Sequence, residues 1–157
     1  MTAKLLSLDV WDTLLRRRTH PEAIKRAACQ YIYWRLRPIL RKFITRSDEI
    51  YHLRLATEGK LSKIARQSGR DEEYELFDVL SHMLRAMLSE NSVADSEFDQ
   101  LIAEFYQHEI DLEIDRTYPD PMIENFIADY PAEKIIYLSD FYLNSAGLQK
   151  ILAANGL

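Results

Sequence analysis

The string Ser7-Leu8-Asp9-Val10-Trp11-Asp12-Thr13-Leu14 sets a carboxylate where an apolar run gives way to a turn. Leu5, Leu6, Leu8 and Val10 lack strict alternation, which suggests a strand buried on both faces of a parallel sheet. Ligands of such sheets sit at the carboxyl ends of the strands, and a charge placed there costs too much without a partner or a purpose. Asp9 is therefore the leading catalytic candidate. A second apolar run, Ile135-Ile136-Tyr137-Leu138, ends in Ser139-Asp140. Alone, Asp9 would read as a turn or capping aspartate, and Ser139 as a cap of the turn that follows it. The pair of strand endings is what makes a site.

The first string resembles the first signature of the haloacid dehalogenase superfamily, in which an aspartate ending the first strand attacks substrate and Thr-Leu follows. Ile135 to Asp140 resembles the second signature, whose terminal Ser or Thr hydrogen-bonds the transferring phosphoryl group. Together, SLDVWDTLLRR and IIYLSDFYL are most similar to the bacterial subgroup often associated with glycosyltransferases and surface-polysaccharide loci. The resemblance implies a hydrolase that forms an aspartyl-enzyme intermediate on Asp9, splitting one difficult displacement into two easier ones. It also implies Mg²⁺, held by the Asp9 carboxylate and the Trp11 backbone carbonyl, because phosphoryl transfer spreads charge over non-bridging oxygens. Ser139 would donate to the phosphoryl group. The expected reaction is Mg²⁺-dependent phosphohydrolysis of a small anionic metabolite, whose identity lies beyond the sequence.

The sequence departs from the superfamily's phosphatases at one informative place. They carry a second aspartate two residues after the nucleophile, as general acid and base; here that position is Trp11. Asp12 follows one residue later, where glycine is usual, and its acid/base role stays open. An aromatic residue at this position also occurs in the superfamily's metal-independent dehalogenases and in the subgroup. Metal dependence separates the two chemistries. The third signature's lysine and the fourth's acidic pair normally follow strand 3, and the sequence stops before either, with Lys150 better read as a solvated helix residue. The expectation is thus a chain completed by a missing C-terminal part or a partner chain. A noncatalytic interaction module, or an inactive fragment, is the alternative from another class.

The elements that must position these residues are mostly helical. Roughly 100 residues of helical periodicity separate the two strands, far beyond an ordinary crossover. Thr19-His20-Pro21-Glu22 has capping-box spacing ahead of a face of Ala23, Ile24, Ala27, Ala28, Tyr31 and Trp34, and Pro38 should end that helix. Ser47 opens a second helix ending near Ser68-Gly69, with Ile50, Leu53, Ile64 and Ala65 inward. Leu76, Phe77, Leu80, Leu84, Met87 and Leu88 form the stripe of a third. The fourth, from Ser96, buries Phe98, Leu101, Ile102, Phe105 and Leu112, with Glu109 on that stripe as a rim carboxylate or the partner of an arginine. Asp120-Pro121 reads as a cap and helix start, and Asn144 or Ser145 as the cap of a last helix with Leu148, Ile151 and Leu152 inward. The fold class is therefore α/β, a Rossmann-like parallel core (residues 1–18 and 118–157) showing its first two strands, with a helical cap (19–117) inserted after strand 1.

Composition bounds the rest. With 157 residues, 47% hydrophobic and 29% charged, the chain is an ordinary globular one of about a domain's length. No run nears the roughly 20 apolar residues of a membrane span, so a cytoplasmic location is expected. Cys29 is the only cysteine and reads as a small core residue, and the four histidines show no zinc-ligand spacing. The net charge of −5 hides an asymmetry: Arg16 to Arg46 holds ten Lys or Arg against Glu22, and Asp71 to Glu133 eighteen acids against Arg85 and Arg116. Complementary helix faces are the favoured reading, a basic surface drawing in an anionic substrate the sharper one. Arg16, Arg17 and Arg18 read most simply as a solvated cap hinge, with anion contact at the cleft mouth as the functional alternative and Arg17 as the site candidate among them. Tyr31, Tyr33 and Trp34 among basic residues are expected to pack within the cap, with no nucleic-acid motif beside them.

Overall fold

The computed structural model describes residues 3–71, 73–90 and 92–157. Its elements are β1 (Leu6–Asp9), β2 (Leu15–Arg17), α1 (Pro21–Leu36), α2 (Ser47–Gln67), α3 (Leu76–Met87), α4 (Asp95–Arg116), β3 (Thr117–Pro119), α5 (Ile123–Asp129), β4 (Ile135–Leu138) and α6 (Ser145–Ala154). The chain is mixed α/β. β1 and β4 pair in parallel, with Leu6 opposite Ile135 and Asp9 opposite Leu138. β2 and β3 form a second, antiparallel ribbon, Leu15 opposite Pro119 and Arg17 opposite Thr117. This ribbon is a neck between the parallel strands and the helices. Nothing in the sequence pattern announced it, since three-residue strands are too short to show alternation.

α1 packs on α2 and α4, and α3 on the same two helices. Pro21 opens α1 at a position where its missing N–H is no loss. The cap is His20, whose Nδ1 accepts from the Glu22 amide at 3.2 Å, rather than the expected Thr19. Pro38 does stop the helix, which passes at Leu36 into a 3-10 turn. The buried face of α1 is Ile24, Ala28, Cys29, Ile32 and Leu36. Trp34, expected inward, is 60% exposed because it lies off that face.

Within α2, Glu49 accepts from the Arg46 amide and closes the first turn, and Gly69 takes a φ of +71° past the helix end. Half of its buried side chains are polar: Arg54, Thr57 and Glu58 join Ile50, Tyr51 and Ala65. α3 is the most amphipathic of the long helices, with Leu76, Val79, Leu80, Met83, Leu84 and Met87 all buried, each contributing about 1.5–3 kcal/mol of burial. Asn144 caps α6 by accepting from the Gly147 amide at 3.0 Å. At Gly147 the packing is close: a Cβ would lie 2.7 Å from the Tyr106 hydroxyl of α4, so a side chain there would require Tyr106 to shift.

A single buried cluster runs from Leu8, Val10, Leu14 and Leu15 through Cys29 and α3 to Ile151 and Leu152, so strands and helices share one core. Burial pushes the Cys29 thiol up to about 12. Burial of the first apolar run on both faces does not hold: Leu8 and Val10 are buried, whereas Leu5 is exposed, as are Tyr137 and Leu138 of β4. Among the described residues, no helix is long and apolar enough to cross a membrane.

Candidate functional site

Because β1 and β4 run parallel with Asp9 opposite Leu138, Asp9 and Ser139 emerge at the same end of the sheet. The Val10 amide donates to the Leu138 carbonyl at 3.1 Å, carrying the ladder one step past Asp9. A tight turn follows. Leu14 and Leu15 both donate to the Val10 carbonyl at 2.9 Å, and the Asp12 amide donates to the Leu15 carbonyl at 2.8 Å. To make this turn Asp12 takes a φ of +60°, a left-handed conformation costly for most side chains but tolerated by Asp and Asn. The side chains of Asp9 and Asp12 are exposed, while the Trp11 ring between them turns inward and is 9% exposed.

Ser139 Oγ accepts from the Phe141 amide at 3.2 Å. The capping role is thus real, yet it uses only a lone pair, and the hydroxyl proton stays available to a ligand. A cleft of about 690 Å³ opens beside Ser139, walled by Tyr74, Phe141 and Asn144. Its charged lining is Arg70 against Asp71, Glu73, Glu75 and Asp78, so this wall is acidic.

Behind the two turns lies a buried polar network. Arg17 stacks on Trp11, its guanidinium carbon 3.7 Å from the ring centroid, and its Nε lies 3.5 Å from Glu113 Oε2. The solvated-hinge reading therefore fails for Arg17, whose side chain is 11% exposed; Arg16 instead donates to Asp120 Oδ2 at 2.6 Å. The Met122 amide and Arg16 hold the Asp120 carboxyl below its ordinary range. Glu113 also accepts from the Tyr142 hydroxyl at 3.1 Å. Burial pushes the Glu113 carboxyl up, against the opposing pull of Arg17 and Tyr142.

Deeper still, Arg54 donates to both oxygens of Glu109 at 2.7 and 2.6 Å and to Glu58 Oε1 at 2.8 Å. Lys25 donates to the other Glu58 oxygen at 2.7 Å. Burial pushes the Glu58 carboxyl up, but Arg54 and Lys25 outweigh it and hold it low. Glu109 does pair with an arginine, but with Arg54 of α2 rather than one of the basic Arg16–Arg46 stretch, and it is fully buried rather than at the rim. Lys25–Glu58, Arg35–Glu104 and Arg17–Glu113 tie the basic stretch to the rest of the chain, as complementary packing requires.

For a divalent cation, the exposed Asp9 carboxylate is an oxygen donor, and the turn's hydrogen bonds use the carbonyls of Val10 and Leu15 rather than that of Trp11. Both are oxygen donors of the kind Mg²⁺ takes, alongside substrate oxygens and the several waters it keeps. Among the described residues, no three His, Cys, Asp or Glu side chains are grouped to hold a metal ion.

No family model and no curated protein matches this chain. Sequence reasoning placed Asp9, Asp12 and Ser139 on adjacent turns but missed Arg54, Glu58 and Tyr142. A signal existed: Arg54 and Glu58, like Glu109 and Glu113, are spaced i, i+4, which puts each pair on one helix face.

Proposed function

We propose that this chain belongs to a cytoplasmic hydrolase with a Rossmann-like core of the haloacid dehalogenase type, acting on a phosphate ester of a small anionic metabolite. The observation that carries the reading is the parallel pairing that sets Asp9 and Ser139 at one end of β1 and β4. The left-handed backbone at Asp12, where the resembling enzymes place glycine, supports it. In this mechanism an Asp9 oxygen attacks phosphorus as the bond to the leaving oxygen breaks, the leaving oxygen takes a proton from solvent, and water then hydrolyses the aspartyl phosphate, releasing inorganic phosphate and regenerating the Asp9 carboxylate. Ser139 donates its hydroxyl proton in a hydrogen bond to a non-bridging oxygen. The Asp9 carboxylate and Trp11 carbonyl would hold Mg²⁺, which when bound neutralises charge developing on the phosphoryl oxygens.

The test is turnover of p-nitrophenyl phosphate with Mg²⁺ by the wild type and by Asp9→Asn. Turnover that survives the substitution in pure protein would end the proposal. A second reading, metal-independent hydrolysis of a carbon–halogen bond by the same carboxylate, is favoured by one feature: the plus-two position holds a buried tryptophan and no second carboxylate. Asp9-dependent release of halide from a 2-haloacid in the presence of EDTA would select it.

A further inference from the structure

We infer that Arg17 is a positioning residue whose guanidinium, wedged among Trp11, Phe141 and Glu113, sets both site turns against the helices. Its catalytic consequence rests on the hydrolase reading; the clasp itself does not. Trp11 lies two residues after Asp9 and Phe141 two after Ser139, and their ring centroids are 4.5 Å apart. The guanidinium carbon sits 3.7 Å from the Trp11 centroid and 5.2 Å from that of Phe141. A planar cation over two rings is an arrangement that lysine cannot reproduce.

On its other side, Arg17 faces Glu113 of α4, and the second oxygen of that carboxylate accepts from Tyr142, the neighbour of Phe141. Arg17 itself belongs to β2, opposite Thr117 of the returning strand. Four parts of the fold therefore meet at one side chain: the turn after β1, the turn after β4, the neck and α4. A shift of α4 re-aims both turns together, and misplacing reacting groups by about 1 Å costs about 100-fold in rate. The plainer alternative is that Arg17 only neutralises buried Glu113. In that case deleting both charges at once would leave the turns unchanged.

The experiment uses the full chain with Arg17→Met/Glu113→Gln, which strands no charge, and Arg17→Lys, which keeps the charge but not the plane. Amide hydrogen exchange is read over residues 10–15 and 139–143, with α3 as internal control, alongside kcat and KM for p-nitrophenyl phosphate. Exchange in both turns is expected to rise at least tenfold in each variant with α3 unchanged. kcat should fall at least tenfold, with KM within threefold of wild type. Wild-type exchange in either turn of the double variant, or a kcat within threefold of an active wild type, overturns the inference. If the double variant unfolds, Arg17→Lys decides by the same criteria. A wild type without Asp9-dependent turnover would sink the hydrolase reading alone, and exchange would still decide whether Arg17 clasps the turns.

Discussion

Replacing Arg54 with methionine should be among the most damaging single changes in this chain. The side chain is 1% exposed and donates to two oxygens of Glu109, itself fully buried, and to one of Glu58. Methionine fills much of the space but leaves Glu109 without its bidentate partner, whereas Glu58 keeps Lys25. Breaking a buried pair from one side costs about 3–5 kcal/mol. Against a total stability of about 5–15 kcal/mol, that is a large share. At roughly 2–4 °C per kcal/mol for a chain of this size, the midpoint of thermal unfolding should fall by about 6–20 °C. Urea unfolding followed by tryptophan fluorescence gives the free energy directly. The double variant Arg54→Met/Glu109→Gln should recover at least half of the loss, because no unpaired charge remains. A single variant within about 1 kcal/mol of wild type, or a double variant no better than the single, would refute the reasoning.

Two other expectations are read from stability. Gly59→Ala, in α2 with nothing within 4 Å of the new Cβ, should gain about 0.5–1 kcal/mol, whereas Gly147→Ala should lose about 1–3 kcal/mol by driving α6 into Tyr106; thermal melts that rank the pair in the opposite order would contradict the packing described for α6. Glu113 has a folded-state pKa raised by burial, so its contribution is fully present below its unfolded value of about 4.3 and is lost as pH rises through the folded value. Glu113→Gln should therefore improve relative to wild type as pH rises above about 4.3, and an opposite slope in paired denaturation curves would count against it.

The sequence was most legible where one physical signal dominated. Leu76 to Met87 has a helical apolar period with no competing demand, and Leu76, Leu80, Leu84, Met87 and Leu88 of the expected stripe are buried, although Phe77 is 47% exposed and Val79 and Met83 join the buried face. Pro38 and Asn155-Gly156 act as stop signals because backbone chemistry leaves few alternatives. The two strand endings were legible as a pair, since Asp9 and Ser139 both follow apolar runs. α2 was harder to read because half of its inward face is polar: Arg54 and Glu58 look like a surface i, i+4 pair, and only the approach of Glu109 from α4 makes them interior. The same applies to Arg17, one of three consecutive arginines, whose burial depends on Trp11 and Glu113 arriving from other elements. Trp34 shows the opposite error, a large apolar residue assumed inward that helix phase turns outward.

The pairing of Arg17 with Thr117 in the neck also has a consequence for the order in which the chain folds. Leu6 and Ile135 are partners although well over one hundred residues lie between them. Closing an unstructured loop of that length costs about 4 kcal/mol of chain entropy, and a four-residue parallel pair returns little against it. Once α1 to α4 have assembled through local contacts, β2 and β3 leave the bundle side by side, and the two distant strands are presented to each other as though joined by a short tether. The helices are therefore expected to form first and the sheet last, and the end of the molecule that bears Asp9 and Ser139 should be the slowest to appear in refolding and the first to open under denaturant.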